Sequence, residues 1–251
     1  MRLLLVISML LIPIALKSTC IVIIRINDKV YIASDSRRRI TKNTSKGIRI
    51  TYDTITKVHE MNKCVIAIAG HFDKQLYEMA TSSLRQISVF DKAVKAFEEN
   101  MKISYSGLMS SEKIHNRNSY LGYLNNRLGS VAFITFINGQ PMLEILDFLL
   151  EEDKLGKPKI KCSKRKCDDR QTLEVLGESF HIDQLSDAQY DMLYNRFISQ
   201  PDLLAAEFVS LEAGYHKESI AKPIDRFLLT NHGFQMLSPK RRTNIKNPYR
   251  Y

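Results

Sequence analysis

The order of hydrophobic patterns along the chain predicts an α+β protein, a four-layer αββα sandwich. Apolar runs near residues 20–34 and 58–70 carry strand patterning around turn residues. Paired helical stripes follow strands twice, near 76–101 and near 185–215, and the hairpin signal Asn138-Gly139 lies between the two pairs. Helices that come in pairs after largely antiparallel strands bury their stripes against sheet faces, which suits two packed sheets covered by helices.

The elements follow in order. Arg2 and the 14-residue apolar run Leu3–Leu16, broken only by Ser8 and Pro13, form a secretory leader that is short for a membrane span. The expected cut falls after Ser18, so residues 1–18 are a signal peptide, residues 19–238 one domain and residues 239–251 a basic tail. Retention of the leader as an anchor is the alternative; once it is cut, no stable membrane anchor remains. The expected location is secreted or periplasmic.

"STCIVIIRINDKVYIASDSRRRI" (18–40) reads as a buried hairpin turning at Asn27-Asp28-Lys29. Residues 36–47 read as a polar connection, and "TKVHEM" with "KCVIAIAG" as a second hairpin ending at Gly70. Leu76, Met79, Ala80, Leu84 and Ile87 share one helix face, and Phe90, Val94, Phe97 and Met101 another. Residues 102–127 are polar and ambiguous. "SVAFITFINGQPMLEILDF" gives two strands, "KPKIKCSKRKC" (157–167) a basic loop and "LEVLG" a short strand. Two helices near 185–198 and 201–215 precede a closing hairpin, "DRFLLTNHGFQML".

The chain has 251 residues and a formal charge of +10, with much of the excess in 157–167 and in the tail. Such runs are ordinarily solvated. No aromatic residue interleaves the first, which removes the stacking surfaces a nucleic acid would use, so no nucleic-acid partner is expected. Of four cysteines, Cys162 and Cys167 are the natural disulfide pair after export. They lack a second Cys/His pair at ligand spacing, so no metal site is expected. Cys20 and Cys64 sit in apolar strand patterns as buried thiols.

Thr19, at the expected cut, carries the chemistry. The α-amine of a first residue titrates near ~8, so it can act as general base for its own hydroxyl. A nearby cation lowers the amine and hydroxyl pKa values, and a carboxylate holds that cation. Lys57 opens the second hairpin and Asp35 closes the first. Gly70 ends a core strand, where a substrate carbonyl can approach a backbone N–H. Taken singly, Asp35 is an ordinary turn cap, Lys57 a strand-edge charge and Ala69-Gly70 a plain turn; their order and their company make the case.

These residues carry a resemblance. "TCIVIIRINDKVYIASDSR" and "TKVHEMNKCVIAIAGHFD" resemble proteasome β-type subunits and the related bacterial protease HslV, with Asp35 sixteen residues after Thr19 as in that family. "LLTNHGFQML" is similar to the closing strand of the HslV branch. The resemblance spans most of 19–237, and its specific motifs lie in 19–73. It implies a threonine-type N-terminal nucleophile hydrolase that cleaves peptide amides without a cofactor. In that reading Thr19 is the nucleophile, Lys57 tunes its basicity, Asp35 orients, Gly70 serves the oxyanion and Arg37 supports Asp35.

The family also implies a homo-oligomer; export away from ATP-driven unfoldases, with nothing in the sequence resembling an ATPase motif, makes peptides or unfolded protein the expected substrates. Where the family commonly has Gly-Ser-Gly, this chain has Gly177-Glu178-Ser179, so Glu178 and Ser179 are the supporting candidates. The family's later Asp has no clean match; Glu218 and Asp225 both remain open. The reading from another class is a non-catalytic proteasome-like subunit that uses the fold for assembly.

Overall fold

The computed structural model describes residues 19–44, 47–54, 56–61, 63–70, 73–177, 179, 182–215 and 224–238, without the side chains of 37–54, 73, 190, 194 and 215. The expected leader, the basic tail, Glu178 and Glu218 lie outside the described residues.

Twelve strands and five helices are described. The chain begins with β1 (Cys20–Ile26), β2 (Lys29–Asp35), β3 (Arg37–Thr44), β4 (Gly47–Thr54), β5 (Val58–Met61) and β6 (Cys64–Gly70). Helices α1 (Asp73–Gln86), α2 (Phe90–His115) and α3 (Arg117–Tyr123) follow. Next come β7 (Arg127–Ile137), β8 (Gln140–Glu152), β9 (Pro158–Lys166) and β10 (Gln171–Gly177). The described chain closes with α4 (Asp187–Ser199), α5 (Pro201–Tyr215), β11 (Ile224–Thr230) and β12 (Gly233–Met236).

The strands build one five-stranded sheet of order β10-β1-β2-β11-β12, another of order β5-β6-β7-β8-β9, and the separate β3-β4 hairpin. Every ladder between named strands is antiparallel. The architecture is therefore mixed α+β with two antiparallel sheets.

Three apolar clusters explain why these residues form these strands. Ile21, Ile23 and Ile32 of one sheet pack with Ala67, Ile134 and Ile145 of the other. The opposite side of β1, with Cys20, Val22 and Ile24, packs with Phe197, Leu204 and Phe208 of α4 and α5. On the second sheet, Ile66, Ile68 and Phe133 pack with Leu76 of α1 and with Phe97, Met101 and Tyr105 of α2. Strands β1 and β6 are thus buried on both faces, which is why they read as near-continuous apolar runs.

The turn signal Asn138-Gly139 does join two strands, β7 and β8. Both residues have positive φ (52° and 78°), as a two-residue turn matched to strand twist demands.

One ambiguity is resolved and two expectations need correction. Residues 102–127, ambiguous in sequence, are largely helical: α2 runs on to His115, because Tyr105 and Met109 continue the stripe of Val94, Phe97 and Met101, and α3 follows. The polar connection 36–47 instead starts the β3-β4 hairpin. The basic loop is the edge strand β9, whose lysines face solvent and acidic partners; Lys161 lies 3.3 Å from Glu151, and Lys164 pairs with Glu144.

The disulfide also fails. Cys162 and Cys167 are free thiols. They point to opposite faces of the sheet, Cys162 against the α2 side and Cys167 into the space between the sheets. Five residues of extended chain separate their Cα atoms by about 16 Å, well past the ~7 Å that a disulfide tolerates.

Candidate active site

The strand ends at one edge of the two sheets bring Thr19, Asp35 and Lys57 together. Thr19 directly precedes β1, and Asp35 is the last residue of the adjacent β2. Lys57 leads into β5, where its carbonyl accepts from the Ile68 N–H at 2.9 Å and so locks its backbone to β6. From there its Nζ donates to Thr19 Oγ1 at 3.0 Å and to Asp35 Oδ2 at 2.7 Å.

All three residues are buried: Thr19 is 7% exposed, Lys57 4% and Asp35 0%. A buried ion pair is tolerable only when its remaining polar atoms are also engaged. That condition is met, since the second Asp35 oxygen accepts from the Cys20 N–H at 3.1 Å. The contact also ties the peptide linking Thr19 to Cys20 to the carboxylate. One aspartate thereby holds both the cation and the backbone of the hydroxyl-bearing residue. A cation 3.0 Å from a hydroxyl oxygen favours the alkoxide character that a nucleophile needs.

Glycines close the other side. Gly177 ends β10 at φ +84°, and a Cβ there would fall 1.8 Å from the Thr19 carbonyl oxygen and 3.3 Å from the Ala69 Cβ. Backbone therefore approaches backbone where a side chain cannot fit. Gly70, at φ +139°, is paired with Gly129 of β7, and a Cβ on Gly70 would meet the Gly129 Cα at 2.4 Å. Strand ends β6, β7 and β10 thus converge beside Thr19.

The other expected residues are less closely drawn in. Ser179 donates to Asp183 Oδ2 at 2.7 Å and has no hydrogen bond to Thr19. Arg37 begins β3, and its side chain lies outside the described atoms. Asp225 is 3% exposed and pairs in register with Ser34, next to Asp35. Cys20 buries in the cluster toward α4 and α5, away from Lys57.

Sequence reasoning missed Gly129, Arg127, Ser130 and Asp147, which line the same edge. The stretch Arg127-Leu128-Gly129-Ser130 held the only available signal, a Gly-Ser pair at the start of a strand. No group of three or more His, Cys, Asp or Glu among the described residues is arranged to hold a metal ion.

No protein-family model matches the chain, and no curated protein matches it. Among solved structures it is similar to a Gly-1 mutant of Anbu from Hyphomicrobium sp. strain MC1, at 13% identity and a TM-score of 0.46. That likeness covers 92% of this chain and 90% of the other. A TM-score at this level does not establish a common fold.

Proposed function

We propose that this chain is an exported threonine-type N-terminal nucleophile hydrolase that cleaves peptide amide bonds. Its sheets and helices would form the four-layer αββα sandwich of proteasome-like proteins. The observation that carries the reading is the buried Lys57 ammonium, 3.0 Å from Thr19 Oγ1 and paired with Asp35 at 2.7 Å. An ordinary structural threonine does not need a buried ion pair aimed at its hydroxyl, and burying one is costly.

Removal of residues 1–18 frees the Thr19 amine. The amine takes the hydroxyl proton as Oγ1 attacks the substrate carbonyl, and returns it to the departing amine. Lys57 stabilises the forming negative charge on Oγ1, and Asp35 keeps Lys57 in place. The Gly70 backbone N–H is the candidate oxyanion donor. Water then attacks the ester on Thr19, with the same amine as base, and the free threonine returns. The proposed substrates are peptides or unfolded protein segments, and the proposed assembly is a homo-oligomer.

The test begins with intact mass and amino-terminal sequencing of the exported protein, expected to start at Thr19. Hydrolysis of peptide amides is then compared between this chain and its Thr19→Ala variant. Loss of all turnover in the variant supports the reading. Turnover equal to the unchanged protein, with the terminus verified, overturns it, and a processed chain that cleaves no peptide at all favours the non-catalytic assembly reading.

A further inference from the structure

The start of β7 carries a β-bulge. Register slips between Arg127, opposite Leu149, and Gly129, opposite Phe148. Leu128 and Val131 both bury in the helix-side cluster, three residues apart rather than two. The extra residue puts Arg127 and Ser130 on one face, which simple alternation forbids. Both then converge on Asp147 of β8. Ser130 Oγ donates to Asp147 Oδ1 at 2.5 Å, and Arg127 Nε lies 3.7 Å from that oxygen. Arg165 Nη2 holds the other carboxylate oxygen at 3.0 Å.

The free arm of Arg127 crosses between the sheets, where Nη1 donates to the Gly177 carbonyl at 3.3 Å. Gly177 is the last residue of an edge strand, with β1 alone beside it in the sheet. Its backbone is the surface against which the Thr19 carbonyl rests. An edge-strand end with one ladder neighbour frays readily. Arg127 is the strut that stops it, and Asp147, gripped from two sides, is the strut's footing.

We infer that Arg127 is a positioning residue for Thr19, acting through Gly177, with Asp147 fixing its guanidinium; this rests on Thr19 being the nucleophile. Loss of the strut lets the Gly177 end of β10 drift and frees Thr19 to move relative to Lys57. Misplacement of a reacting group by about 1 Å costs on the order of a hundredfold in rate. A residue that acts through Gly177 on the placement of Thr19 lowers kcat and leaves KM unchanged.

The experiment uses the processed full chain and a peptide amide substrate, with Thr19→Ala as control. Arg127→Ala is expected to lower kcat about ten- to a hundredfold with KM unchanged. Millimolar guanidinium, at concentrations that leave the unchanged protein's rate constant, is expected to restore part of the loss by filling the vacated place. Asp147→Asn keeps the contact with Ser130 and serves where Arg127→Ala does not fold; a smaller fall in kcat, again at constant KM, is expected. An inactive Thr19→Ala protein beside Arg127→Ala and Asp147→Asn proteins within twofold of normal kcat overturns this inference and leaves the proposed activity standing. A rise in KM at constant kcat also overturns it. An active Thr19→Ala protein removes the proposed activity itself, whatever Arg127 does.

Discussion

The space between the two sheets has two ends, and they differ in kind. At one end Thr19, Asp35 and Lys57 are buried and bonded to one another, and three strand ends close in through Gly70, Gly129 and Gly177. At the other end the strands turn tightly, at Asn138-Gly139 and at Asn231-His232. There a cleft of about 600 Å³ opens over Val65, Ile134, Phe136 and Leu229. The far cleft has room and an apolar floor, yet its Lys63 and His232 are exposed turn residues and its Glu60 is an exposed residue of β5. Space alone is therefore a poor guide to chemistry in this fold. Reactivity needs charged groups held out of water beside a nucleophile, and among the described residues the near end has Lys57 and Asp35 so placed against the Thr19 hydroxyl.

The largest test of that contrast exchanges one lysine at each end. Lys57→Met removes a buried cation and leaves Asp35 charged with its main partner gone, a change worth about 3–5 kcal/mol. Turnover should fall about 10²–10³-fold, the range that loss of one electrostatic stabiliser produces. Lys63→Met, at the exposed rim of the far cleft, should alter neither by more than ~0.5 kcal/mol or twofold. Urea unfolding and initial rates on the two variants decide the matter. Equal losses would mean the two ends are not functionally distinct.

Glycines sharpen the same comparison. Gly177 and Gly139 both have positive φ, at +84° and +78°. Replacing either with alanine costs about 1–2 kcal/mol from backbone conformation alone. A Cβ on Gly139 meets nothing closer than Asn231 Nδ2 at 3.8 Å, whereas one on Gly177 meets the Thr19 carbonyl oxygen at 1.8 Å. Gly177→Ala must therefore push β10 from β1 and should cost about a hundredfold in turnover besides its stability. Gly139→Ala should show the conformational cost and normal turnover. A Gly177→Ala protein with normal rates would contradict the close approach.

His59 lies on the helix side of β5, two residues beyond Lys57, with its ring centroid 4.5 Å from that of Tyr77 in α1. Burial pushes its imidazole down from 6.5 to about 4. Below pH 6.5 the unfolded chain binds a proton that the folded chain refuses until about pH 4. Stability should therefore fall as pH drops through that window, by about 3 kcal/mol in all. A His59→Gln variant should lose this slope. If both proteins show the same urea midpoint change between pH 7 and pH 4.5, His59 is not the cause.

Much of this was legible in the sequence, for identifiable reasons. Strands β1 and β6 announce themselves because burial on both faces demands unbroken apolar runs. Thr19, Asp35 and Lys57 could be named because the chemistry demands those residue types, and their mutual bonds stand in the structure. The second half of α2 was obscured by Ser104, Ser106 and Gly107, which flank its buried Tyr105. Strand β9 looked like a loop because an edge strand is safest from stray pairing when lysines crowd it. Arg127 was invisible for a different reason: its partners Asp147 and Gly177 are distant in sequence, and a bulge decides which way it points.

The smallest expected effect concerns the thiols beside this network. Cys167 Sγ donates to Glu174 Oε1 at 3.2 Å, and Glu174 also pairs with Arg165, which holds Asp147. The Cys167 carbonyl accepts from buried Arg25 at 2.7 Å. Burial pushes both the Cys162 and Cys167 thiols up to about 12, so neither ionises readily to attack the other. A disulfide to Cys162 would have to pull Cys167 out of these contacts and through the sheet. Closing so short a loop would contribute only about 2 kcal/mol, against the loss of several buried hydrogen bonds. Adding a reductant should therefore leave the melting temperature unchanged within 1 °C, about the resolution of such a measurement and well below the ~4 °C that 2 kcal/mol produces even in a large domain. Mass spectrometry after alkylation of the unreduced, denatured protein should find a label on each thiol. A linked Cys162–Cys167 peptide in that digest would show that β9 does not present its alternate residues to opposite faces.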